Sequence, residues 1–230
     1  MDKQNIALIF IIFVAIVGII LIFTLGGSKS GGNGGNGGDG GNGGDGGNGG
    51  DGGNGGDGGD GGDVNLTSKM KDQFLNLQNS YRNKASADPL NWSDDLASGA
   101  QKWLNYLCEK ENCGMRHPGT PEEKNEYLNN DSWGQNLAHY QGESGSPENA
   151  VQNWGPVECQ NYDPNNPTKG EVGHFTQMVW KDTTEVGCAK ATKGNDTLWG
   201  CNYNPAGNII YNGGDSYYVK NVTKPNPCSL

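Results

Sequence analysis

The sequence predicts an α+β domain, helices packed on an antiparallel sheet, lying behind an N-terminal apolar helix and a disordered Gly-rich linker. Apolar residues recur at helical spacing through the first part of residues 64–230. After His174 the texture changes to β-rich runs, FTQMVW, EVGCAKA and TLWGCNYN, separated by Gly-, Asn- and Lys-containing turns. Helices first and strands later are the pattern of helices covering an antiparallel sheet. The first 63 residues follow neither pattern.

Residues 1–5 are a short flank. Residues 6–25, IALIFIIFVAIVGIILIFTL, carry one hydroxyl and no charge, enough helix to cross a hydrocarbon core of about 30 Å. The length, and the lack of an A-x-A-like site after it, favour an uncleaved signal anchor over a secretory signal peptide. Lys3 and Lys29 flank the run evenly, so the positive-inside bias does not orient it. Residues 26–63 form the linker. Its Gly-Gly-Asn and Gly-Gly-Asp triplets have no Pro for a collagen helix and no nine-residue apolar repeat for calcium binding. Treated as a Gly-rich coil it spans roughly 30 Å.

Five N-x-[ST] sequons, at Asn65, Asn91, Asn130, Asn195 and Asn221, all follow the apolar run, as in a domain outside the cell. Six cysteines, Cys108, Cys113, Cys159, Cys188, Cys201 and Cys228, are even in number and contain no CxxC pair. Both features fit an oxidising compartment: a membrane-anchored cell-surface protein, or a secreted one if the N-terminal segment is cleaved. Of the net charge of −10, the linker's aspartates supply six units. The remaining acidity is a solvated surface that argues against a nucleic-acid partner.

Within 64–230, Met70, Phe74, Leu77 and Tyr81 mark one face of a first helix. Ser93 is a natural N-cap for a second, with Asp94 and Asp95 in its first turn and Leu96, Ala100, Trp103, Leu104 and Leu107 as its apolar stripe. A third starts at Ser146 and Pro147 and turns Ala150, Val151 and Trp154 inward.

The motifs GHFTQMVW, VGCAKA and GCNYNPAGN, with PLNW at 89–92, GQNLA at 134–138 and Trp154, Glu158 and Tyr162 at W-x-x-x-E-x-x-x-Y spacing, resemble those of the CAP superfamily. That superfamily groups the cysteine-rich secretory proteins, antigen 5 and the pathogenesis-related 1 proteins. The likeness runs over nearly all of residues 68–212. It implies a three-layer α-β-α sandwich (a CAP or SCP domain) with a cleft of two His and two Glu. His117, His174 and Glu158 fall on three of those positions, while Gln135 stands where the family's G-E-N motif has the second carboxylate. It also implies a Cys188–Cys201 disulfide and leaves the pairing of Cys108, Cys113, Cys159 and Cys228 open.

His117, His174 and Glu158 are the residues that could hold a weakly bound divalent cation, zinc being the natural ion for nitrogen ligands. Gln135 offers only a neutral amide, and losing the carboxylate pair weakens a general acid and base mechanism. Thr176 and Ser132 have no base paired with them and read as structural; His139 reads as a polar surface or helix residue. The resemblance implies a non-enzymatic binding protein, for a sterol, fatty acid or other lipid, in defence or surface recognition. The alternatives are a metal-dependent hydrolase or protease using His117, Glu158 and His174, and a structural or signalling display domain. In sterol-binding members an aromatic-bearing loop precedes the GHFTQ motif; here residues 161–172 are polar and read as a solvated Asn/Pro turn.

Overall fold

A computed structural model of the chain describes residues 66–142, 145–210 and 216–230. The apolar segment at 6–25, the linker and the sequon at Asn65 lie outside the described residues. Among those described, no helix is long and apolar enough to cross a membrane.

Helix α1, Ser68–Lys84, is capped by the Thr67 hydroxyl and buries Phe74 and Tyr81, with Gln78 and Arg82 beside them. Leu77 is only half-buried, so the inward face is rotated slightly from the expected stripe. The Arg82 guanidinium is fully buried and donates to the carbonyls of Asp88, Met178, Trp180 and Thr183, sewing α1 to the turn before the sheet. Loss of water lowers its pKa to about 10, which leaves it charged at neutral pH. Helix α2, Asp94–Lys110, begins on the Ser93 cap and buries all five residues of the expected stripe. Helix α3, Pro121–Leu128, was not foreseen, although Thr120, Pro121 and Glu123 spell out a capping box with Pro at the first position. Helix α4, Pro147–Gln152, starts at Ser146, runs through a π-helical turn at Asn153–Val157 that accommodates Pro156, and leads into α5, Glu158–Asn161.

The sheet has the order β1-β3-β4-β2, with β1 Asn91–Trp92, β2 Gly134–Gln141, β3 Glu185–Lys193 and β4 Asp196–Asn204. It is antiparallel except at one edge, where the two-residue β1 runs parallel to β3, and this corrects the expected all-antiparallel sheet. The chain enters β1 from α1 and needs only the bonds Asn91 N–H to Thr184 O and Ser93 N–H to Val186 O to lie alongside β3. FTQMVW is also corrected: it is no strand, because Gly173–Met178 forms helix α6. Residues 175–180 are all buried, and a short element buried on every side shows no period to distinguish helix from strand.

Helices cover both faces of the sheet. Phe74, Tyr81, Trp154, Phe175, Met178, Trp199, Cys188, Cys201 and Tyr203 share one core; Trp103, Leu104, Leu107, Leu137, Ala189 and Leu198 share the other. Neighbours such as Leu198 and Trp199 serve opposite cores, as the two-residue period of a strand requires. Gly187 allows the first turn of α2 to rest directly on β3, since a Cβ there would strike Ala97 N and Ser93 O. Cys188 and Cys201 sit opposite one another in register and are joined, the pairing the resemblance implies. Cys108 pairs with Cys113, and Cys159 with Cys228 near the C-terminus.

His139 lies on β2 rather than on a helix, its Nε2 2.8 Å from Asp196 Oδ1 at the surface. Asn221 is withdrawn from the glycosylation candidates: it is fully buried, its amide oxygen accepts from Asp182 N–H and its amide nitrogen donates to Asp182 Oδ2.

Candidate functional site

His117, Gln135, Glu158 and His174 all line one pocket of about 400 Å³, together with Leu128, Trp133, Val172, Ala206 and Tyr218. The volume is that of a small-molecule site.

His117 follows Arg116, and Arg116 fixes the segment. Its guanidinium stacks over Trp103 at 4.8 Å and bridges Glu111 at the end of α2 to Glu123 at the start of α3. The bonds from Arg116 hold the Glu123 carboxyl down to about 2. The tautomer of His117 then follows from the hydrogen bonds around it. The carbonyls of Leu96 and Tyr127 can only accept, so Asn202 turns its amide nitrogen to them. Its oxygen therefore accepts from Gln135 Nε2 at 3.0 Å, and Gln135 Oε1 is left facing His117 Nδ1 at 2.9 Å. His117 must donate from Nδ1, which leaves Nε2 with a free lone pair. Stripping of water, with the nearby His174 adding a smaller push and Gln135 opposing, lowers the His117 pKa to about 4.

On the other side, Glu158 Oε1 accepts from His174 Nδ1 at 2.6 Å. Glu158 Oε2 accepts from the backbone N–H groups of His174 and Phe175 at 2.9 and 3.0 Å. Helix α6 has no capping side chain of its own, and this carboxylate from α5 takes that place, anionic at the positive end of a helix. His174 also lies against Trp154, with ring centroids 6.2 Å apart. Among the described residues neither imidazole Nε2 has a protein partner.

The four predicted residues are therefore brought together, in unequal roles. His117 and His174 present electron pairs, while Gln135 and Glu158 orient them from behind, the usual arrangement around a metal-ligating histidine. Among the described residues no group of three or more His, Cys, Asp or Glu is placed to hold a metal ion. The donors left free on these four side chains are thus the two imidazole Nε2 atoms and not the Glu158 oxygens, both of which are already engaged.

The segment 161–172 departs from the expected solvated turn. Its middle is solvated and held by an Asx turn at Asp163, but Tyr162, Pro167 and Val172 are buried, and Pro167, Thr168, Gly170, Glu171 and Val172 form one wall of the pocket. Thr176 is structural, donating back to its own helix and meeting Asn208. Asn202, the residue that sets the His117 tautomer, was missed as a site residue because its signal is a register across the sheet rather than a spacing along the chain.

The family model for the cysteine-rich secretory protein (CAP) family matches residues 75–203, more than half of the chain. The chain belongs to the CAP family. The potato (Solanum tuberosum) STS14 protein is 33% identical to this CAP protein over 147 residues, covering 62% of the chain and 64% of the relative. Pathogenesis-related protein PR-1 of Medicago truncatula is 35% identical over 142 residues, covering 60% and 75%. Among solved structures, Na-ASP-1 superposes with a TM-score of 0.51 at 21% identity, covering 66% of this chain and 44% of that one, a likeness of fold.

Proposed function

We propose that this CAP protein acts outside the cell, secreted or held at the surface by residues 6–25, as a binding protein rather than an enzyme. Its ligand is a small apolar or amphipathic molecule, a sterol, fatty acid or other lipid, taken into the pocket between His117 and His174. The observation that carries this reading is the state of Glu158 beside that pocket. Its carboxylate already accepts three hydrogen bonds, so the site offers walls and two oriented imidazoles, and Glu158 is not free beside them to serve as a base. A divalent cation, if taken up, would be held by the two Nε2 atoms and would supply Lewis acidity; with two protein ligands its binding would be weak. The similarity to pathogenesis-related proteins supports a defence role.

The test is binding of radiolabelled cholesterol and of a labelled fatty acid to the oxidised protein, with excess unlabelled competitor. Saturable, competed binding is expected. Absence of binding for both would reject the lipid reading in favour of a display domain. Turnover of an ester or peptide that vanishes in both His174→Ala and Glu158→Gln would reject the non-enzymatic one.

A further inference from the structure

We propose that Asn130 carries an N-linked glycan that stands on the rim of the pocket and keeps bulky partners from its mouth. The fold sorts the sequons. Asn91 is exposed on the edge strand β1, Asn195 is exposed at the turn between β3 and β4, and Asn221 is buried and tied to Asp182. Asn130 alone among these combines exposure with the pocket. Leu128 and Asp131 on either side of it, and Trp133 and Gly134 beyond, are lining residues.

The local backbone explains how the site is presented. Asn129, Asn130 and Asp131 have φ of 47°, 57° and 63°, three successive left-handed residues of types that tolerate that region. They reverse the chain at the end of α3. The turn is held by Asn130 N–H bonding to Lys124 O at 3.0 Å and by the Lys124 to Asp131 ion pair at 3.1 Å. The Asn130 side chain has no partner among the described residues, and Ser132, which completes the sequon, is exposed. Attachment needs a lipid-linked oligosaccharide pyrophosphate as donor. The Asn130 amide nitrogen bonds to C1 of the sugar as the C1–O bond to pyrophosphate breaks, the lipid pyrophosphate leaves, and the amide proton passes to the medium.

The attachment is independent of the lipid reading; the shielding rests on the pocket's being the ligand site. The full chain is produced in a eukaryotic secretory host, deglycosylated enzymatically in ¹⁸O water and mapped by mass spectrometry. Labelled Asp is expected at position 130 and not at 221; unmodified Asn130 throughout the protein recovered from the cell surface or the medium overturns the proposal. Shielding is then read with trypsin as a bulky probe of the pocket wall, by cleavage after the exposed Lys169. The glycosylated protein is expected to be cut several-fold more slowly than Ser132→Ala, which removes the sequon and leaves Asn130 in place. Equal rates, or no cleavage in either, overturn the shielding. Neither readout depends on lipid binding, so a failed cholesterol experiment and a failed glycan experiment stay distinct.

Discussion

Replacing Gln135 by Glu tests the chain of hydrogen bonds behind His117. In the native protein burial of the ring, with a smaller push from His174, lowers the His117 pKa to about 4 against the opposing hydrogen bond with Gln135. A carboxylate within hydrogen-bond distance raises a histidine pKa by about 1 to 3 units, so Gln135→Glu should move His117 to between about 5 and 7. The sign of the stability effect follows. The folded pKa of His117 lies below its unfolded value of 6.5, so the unfolded chain binds more protons between those pH values. Native stability is greatest above pH 6.5, falls as pH drops toward 4, and does not change through this group below that. At about 1.4 kcal/mol per unit the loss is at most about 3 to 4 kcal/mol, and the substitution should shrink it. There is an opposing cost at neutral pH. Asn202 cannot flip, because its nitrogen is held by Leu96 O and Tyr127 O, so its oxygen would face a carboxylate and lose its donor, costing about 1 to 3 kcal/mol. The assay is an NMR titration of the His117 ring together with denaturant unfolding at pH 7 and 4.5. A His117 midpoint that stays near 4 in the variant would show that residue 135 does not set its environment and would refute the reasoning.

Glu158→Gln should destabilise the protein by about 3 kcal/mol, since three charge-assisted bonds become neutral ones or are lost; denaturant unfolding measures it, and ¹⁵N shifts should show a changed His174 tautomer. Removing Cys159–Cys228, which spans 69 residues, should cost about 4 kcal/mol, against about 2 kcal/mol for Cys108–Cys113 with its separation of 5; thermal unfolding of the two paired Cys→Ala variants should rank them in that order. Arg82→Met should cost about 3 kcal/mol or more, because the buried carbonyls of Met178 and Thr183 lose this donor, and loss of a cooperative unfolding transition would report it.

Much of the helical layer was legible because it is amphipathic and capped. Ser93 and Ser146 opened helices where expected, and the stripe from Leu96 to Leu107 faced the sheet. What failed to show was buried on all sides or defined across the chain. Residues 175–180 have no solvent face, so their helix reads as a strand. GQNLA is a strand only because β4 lies beside it. Strand β1 is two residues long and exists by virtue of β3. At the site, His117, Glu158 and His174 were recognisable as a set, but nothing in their spacing says which oxygens are engaged. That Glu158 closes the end of α6, and that Asn202 dictates the protonated nitrogen of His117, are facts of three-dimensional register.

The double employment of Glu158 changes what its presence in a sequence means. A residue that holds up a helix and aims a histidine with the same carboxylate cannot be lost without damage to the fold, whatever the pocket is used for. A descendant of this protein that abandoned its ligand would still be expected to keep the glutamate and the helix it supports. Retention of the Glu and His pair in related chains is therefore a record of architecture, and a poor marker of shared chemistry. Variation in the lining that serves no structural purpose, such as Thr168 and Glu171 on the 161–172 wall, is where differences in ligand would be written.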